Sequence, residues 1–203
     1  MKTPLNYQIS EYDCGPVSLL NAVSYLFDQE EIPPDLIRGI YLYALDDYRP
    51  GSNIPGKAGT SAAAMRHLSY WMTQYGKTGQ LPISSRYFSG GDIFFGADSP
   101  ICGALRRGGV VILRLYLEVG HYVLLTGMQG DDILAFDPYY WEKPFADQDI
   151  RIVTDHPSEY NRVIPVRVLN SETQDPYALG PVALREAVAI FNDNKTISGG
   201  NEQ

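Results

Sequence analysis

The run Gln8-Ile9-Ser10-Glu11-Tyr12-Asp13-Cys14-Gly15-Pro16-Val17-Ser18-Leu19-Leu20-Asn21 constrains this chain more than any other stretch, because it sets a polar loop directly against an apolar helix. Val17, Leu20, Ala22, Val23, Leu26 and Phe27 recur at helical spacing, which predicts a helix from about Pro16 to Phe27 with Asp13 or Cys14 near its cap. Pro16 suits a first turn, where a missing N–H costs no intrahelical bond. The Cys14 sulfur then stands at the positive end of a helix, where unpaired N–H groups and aligned peptide dipoles favour a thiolate over a thiol. Gln8, in the loop just before, carries an amide able to aim a donor at an oxyanion. A cysteine at such a place is also commonly a small buried hydrophobe, so the catalytic reading requires a base elsewhere in the chain.

Downstream, Pro34-Asp35 opens a second helical pattern through Leu36, Ile37, Ile40, Tyr41 and Ala44, and residues 46–60 read as a loop rich in Pro and Gly. Thr60 or Ser61 can cap a third helix, Ala62 to Tyr75. The signal then changes to strands at Leu81 to Phe88, Val110 to Leu117, Gly120 to Gly127, Asp132 to Pro138 and Arg162 to Leu169, with a short helix from Ser99 to Arg107. Residues 181–191 fit a C-terminal amphipathic helix. Helices first and a largely antiparallel sheet after them predict an α+β fold, with one domain over residues 1–191 and a flexible polar tail over 192–203.

The third and fourth of these strands supply the missing base. A tight turn centred near Gln129 pairs residues whose numbers sum to about 258, which sets His121 opposite Asp137, with a diagonal pairing as the alternative. An Asp so placed can accept the imidazole N–H, fix its tautomer and stabilise the imidazolium. A His facing a helix-capped Cys is the activation that a thiol nucleophile requires. His67, inside the third helix, and His156, in a loop, are weaker candidates. Cys102 reads as a packing residue. With no Cys-x-x-Cys and the histidines in separate elements, neither a metal nor another cofactor is expected.

Charge narrows the partners. The formal net charge is -8, and no Lys/Arg run exists to release phosphate counterions, which argues against nucleic acid. No window approaches the roughly 18 apolar residues of a membrane span. Two cysteines and the lack of a charged segment followed by an apolar one at the start point to a reducing, cytoplasmic setting, with a Cys14 to Cys102 disulfide as the open alternative.

Gln8, the block Asp13 to Asn21, and later Gly120-His121-Tyr122-Val123-Leu124-Leu125-Thr126-Gly127 with Asp137-Pro138, together resemble the papain-like bacteriocin-processing peptidases. These double-glycine leader peptidases occur as transporter domains and as free-standing single-domain relatives. The resemblance covers about residues 7–140 and implies a papain-like cysteine peptidase fold. It also implies roles: Cys14 as nucleophile, His121 as base, Asp137 as its orienting partner and Gln8 in the oxyanion hole. Residues 147–203 have no counterpart in it. The implied activity is a cysteine peptidase or amide-bond hydrolase working through a Cys14 thioester on a peptide or protein substrate, with Gly or Ala before the cleaved bond. An acyltransferase of the same fold and a catalytically silent peptide-binding module are the alternatives. Gly199-Gly200 offers a site for self-processing, although a flexible Gly-rich terminus is the commoner reason for such a pair.

Overall fold

Strands β2 (Val110–Leu117) and β3 (Val119–Gln129) are apolar at most of their positions because both of their faces are covered. In this computed structural model, residues 3–48, 51, 53–145 and 149–195 are described. Among them, seven strands form one antiparallel sheet in the order β1-β7-β2-β3-β4-β6-β5. The remaining strands are β1 (Ile83–Ser89), β4 (Asp132–Phe136), β5 (Arg151–Ile152), β6 (Arg162–Pro165) and β7 (Glu186–Asn192). The fold is α+β.

Alternation along the strands divides the apolar side chains between two cores. Val110, Ile112, Leu124, Val188 and Ile190 face helices α1 (Cys14–Leu26), α2 (Pro34–Ala44) and α3 (Ala62–Gly76), packing with Leu19, Val23, Leu36, Ile40, Leu68 and Met72. Val111, Leu113, Val123, Leu125 and Ala189 face the other way, toward α4 (Pro100–Arg106) and α5 (Val166–Leu169). Each such aliphatic side chain taken fully out of water contributes roughly 1.5–3 kcal/mol. Ser61 caps α3 by accepting from the Ala64 N–H, and Ser99 caps α4 by accepting from the Cys102 N–H.

Three expectations are corrected. Residues 181–191 do not form a helix: after a single turn at Val182–Leu184 they become β7, inserted between β1 and β2. The run Ala187-Val188-Ala189-Ile190-Phe191 is buried on both faces, so it lacks the alternation that marks a half-exposed strand. The segment from Arg162 to Leu169 is a strand only as far as Pro165 and then turns as α5. The proposed tail begins too early, because Asn192 is buried in β7 and donates to the Leu26 carbonyl at 3.1 Å. Gly199-Gly200 lies outside the described residues.

The β3–β4 hairpin turns at Gly130-Asp131, with Gly130 in the left-handed region at φ +61°. A bulge between Leu125 and Gly127 shifts the register, so that Leu124 faces Phe136. Continued by one step, this register sets Asp137 across from Val123 and diagonal to His121, rather than directly opposite it. Because the strands are antiparallel, β3, β6 and β7 begin at the sheet end where β1, β2 and β4 finish.

Candidate active site

That end of the sheet gathers the polar residues. Helix α1 lies over β3, held there by the buried Ser18 hydroxyl, which donates to the Tyr122 carbonyl at 3.2 Å. The contact brings the helix start, with Cys14, to the residue after His121. On one side of the imidazole Nε2 meets Asp137 Oδ1 at 2.7 Å, and Cys14 lies near enough to favour the protonated ring. With Nε2 engaged by Asp137, the nitrogen left for the thiol is Nδ1. The structure therefore brings Cys14, His121 and Asp137 together in that order.

Burial is close to complete, with Asp137 at 0% and His121 at 6% exposure. For His121, desolvation pushes toward the neutral form, but the Asp137 charge and hydrogen bond, with Cys14 adding to them, raise its pKa to about 10. For Asp137, burial acts upward and is outweighed by the His121 charge and hydrogen bond, by a hydrogen bond from Tyr177 and by the Arg162 charge. Its carboxyl is held below the usual range. The Tyr139 N–H also donates to Asp137 Oδ1, at 2.8 Å.

Gln8 reaches this site through its backbone, its N–H donating to the Pro138 carbonyl at 2.9 Å. Its side-chain Nε2 donates to the Ser10 carbonyl at 2.7 Å, while Oε1 is buried without a hydrogen-bond partner among the described residues. One Nε2 hydrogen remains for another acceptor. Asp13 caps α1 by position, yet it spends its carboxylate on the loop, accepting from the Ile9 N–H, the Ser10 N–H and the Ser10 hydroxyl at 2.6–2.9 Å. Burial acts upward on this carboxyl, and those donors bring it below its ordinary value. Asp13 thus folds the Gln8 loop back onto the helix start.

A groove of about 940 Å³ opens beside Cys14. Its floor holds Glu186, which accepts from the Tyr122 hydroxyl at 2.6 Å and the Tyr87 hydroxyl at 3.1 Å and lies 3.7 Å from Arg114 Nε. On its wall, Thr60 packs directly on Gly15. Of the other candidates, His67 stands on the surface of α3 against the Tyr43 ring and His156 in an outer loop against Tyr160. Cys102 is buried in the second core, and both cysteines are free thiols.

Four residues of this region had no signal in the sequence. Asn161 accepts from the Asp137 N–H at 2.7 Å and donates to the Asp137 carbonyl at 2.8 Å. Tyr177 donates to Asp137 Oδ2 at 2.5 Å, and Arg162 donates through Nε to the Tyr177 hydroxyl at 3.0 Å. Glu186 was hidden by its assignment to a helix. All four meet the site through tertiary contacts, which local periodicity does not report; a buried Arg in the strand-like run Arg162-Val163-Ile164 was the nearest available hint.

Among the described residues, no group of three or more His, Cys, Asp or Glu is placed to hold a metal ion, and no helix is long and apolar enough to cross a membrane. A scan against models of known protein families finds no match, and a search of curated proteins finds no relative of this chain.

Proposed function

We propose that the chain is a papain-like cysteine peptidase or related amide-bond hydrolase, akin to the double-glycine leader peptidases, with Cys14, His121, Asp137 and Gln8 as its working set. The observation that carries this reading is one buried imidazole bonded to Asp137, with Cys14 near it at the start of α1. In the reaction, Cys14 Sγ attacks the substrate carbonyl carbon as the thiolate of a thiolate–imidazolium pair with His121. The resulting oxyanion is met by the Cys14 N–H, at the open start of α1, and by the Gln8 amide. His121 then gives its proton to the departing amine, leaving a Cys14 thioester. Water, deprotonated by His121, attacks that thioester and releases the acid. Asp137 holds the imidazole in register throughout. The two free thiols support a reducing, cytoplasmic setting.

The test is incubation with fluorogenic peptides carrying Gly or Ala before the reporter amide, after titration of the site with iodoacetamide. Stoichiometric alkylation of Cys14 that abolishes amide cleavage supports the reading. Cleavage that survives alkylation, or persists in Cys14→Ala, would overturn it. Analysis of products with added amines distinguishes hydrolysis from acyl transfer.

A further inference from the structure

The hydrogen-bond chain behind His121 has a direction, and the direction is set from its far end. Arg162 is almost wholly buried, and its guanidinium has only hydrogens to give. Two of its nitrogens donate to the carbonyls of Asn161 and Trp141 at 2.9 and 3.1 Å, and Nε donates to the Tyr177 oxygen at 3.0 Å. The single Tyr177 proton is therefore committed to Asp137 Oδ2, at 2.5 Å. The carboxylate accepts there and from the Tyr139 N–H, so its remaining short contact, Oδ1 to His121 Nε2, is one in which the imidazole donates. Nδ1 is left toward Cys14.

Tyr177 is placed for this at some conformational expense. Its backbone is left-handed, at φ +65°, an outlier for a bulky side chain. It is held so by its N–H, which donates to the Tyr116 carbonyl at 2.7 Å, and by the Tyr116 N–H, which donates to the Ala178 carbonyl at 2.9 Å. The Phe145 ring packs edge-on against it at 5.2 Å.

We infer that Tyr177 is a positioning residue for the Cys14, His121 and Asp137 site: oriented by Arg162, it keeps Asp137 ionised and aimed, and so decides which imidazole nitrogen faces the thiol. This rests on the peptidase reading. The titratable and charged groups facing Asp137 are His121 from β3, Arg162 from β6 and Tyr177 from the loop before β7, with Cys14 beyond the imidazole. Removing the Tyr177 hydroxyl withdraws a donor from the carboxylate. Asp137 then takes up a proton at higher pH, desolvation drives His121 neutral, and the cationic ring beside the sulfur is lost.

The experiment is the rate of Cys14 alkylation by iodoacetamide across the acid and neutral range, site-resolved by peptide mass, in wild type, Tyr177→Phe, Arg162→Lys, Arg162→Met and His121→Ala. In Tyr177→Phe the rising acid limb is expected to move up by roughly one pH unit, the worth of a hydrogen bond to a charged group. Arg162→Lys keeps a buried donor and should lie nearer wild type than Arg162→Met. A residue with only a structural role lowers the melting temperature and leaves the limb in place, and that result in Tyr177→Phe overturns the inference. A wild-type rate indifferent to His121→Ala overturns the reading of the site itself; a rate that follows His121 and ignores Tyr177 overturns the network alone. A readout free of variants is NMR of isotope-labelled histidine in the intact chain. A proton on His121 Nε2 supports the direction argued above, and a neutral ring protonated at Nδ1 refutes it.

Discussion

Gly15 and Thr60 meet so closely that a Cβ added to Gly15 would stand 2.2 Å from Thr60 Oγ1 and 2.8 Å from Thr60 Cβ. The second residue of α1 is therefore glycine because the loop before α3 leaves no room for a side chain next to Cys14. Gly15→Ala should force the two apart and cost ~1–3 kcal/mol, the usual range for overpacking. For a domain of this size, each kcal/mol lowers the melting temperature by roughly 2–4 °C. Thermal unfolding reads the effect directly, and an unchanged melting temperature would mean that the contact yields without cost.

The two cysteines should separate by reactivity. Cys14 lines the groove and acts electrostatically on His121, whereas Cys102 is 1% exposed and packed among Ile101, Leu105 and strand residues of the second core. Iodoacetamide at neutral pH is expected to label Cys14 well before Cys102 in the folded protein, with the two rates converging in denaturant. Equal rates without denaturant would contradict the geometry.

Substitutions in the site should fall in a definite order. On the proposed peptidase reading, Cys14→Ala should abolish turnover and His121→Ala should be nearly as severe, because nucleophile and base would act as a unit. Asp137→Ala retains measurable activity. Gln8→Ala loses on the order of 10²–10³ in kcat, the usual effect of removing one oxyanion donor. Steady-state kinetics on a cleaved peptide ranks them, and a full rate in Gln8→Ala would remove that residue from the oxyanion hole.

Stability should follow the buried pair across pH. The pKa of His121 is raised from 6.5 to about 10, so its contribution is complete below 6.5 and is lost as pH climbs toward 10. Asp137 is depressed from 3.8, so its contribution is complete above that value and is lost as pH falls through the lower folded value. The melting temperature should therefore decline from near-neutral pH into the alkaline range, and His121→Gln should flatten that decline. Scanning calorimetry of both proteins over the alkaline range is the measurement, and parallel curves would exclude His121 as the cause.

How much of this was legible beforehand follows from the range of each interaction. The helix carrying Cys14 was readable because Val17, Val23 and Leu26 repeat at its own period, and β2 because Val110 to Leu117 is one apolar run between Gly109 and Glu118. His121 and Asp137 were readable as neighbours because a hairpin is a local structure, although the bulge near Thr126 moved them from facing to diagonal. The strand β7 was not readable, since Ala183-Leu184-Arg185-Glu186-Ala187 are helix formers and the short apolar run after them fits a buried helix segment as well as a strand. Nor were Asn161, Arg162 and Tyr177, whose value lies wholly in contacts with Asp137 from far along the chain.

The place of β7 in the sheet also sets a timetable. Ser89 pairs with Glu186, and Val110 with Ile190, so β1 and β2 have no strand between them until residue 192 has left the ribosome. Glu186 arrives on the groove floor with that same strand. A growing chain thus holds Cys14 and His121 well before it holds the strand that brings Glu186 to the groove beside Cys14.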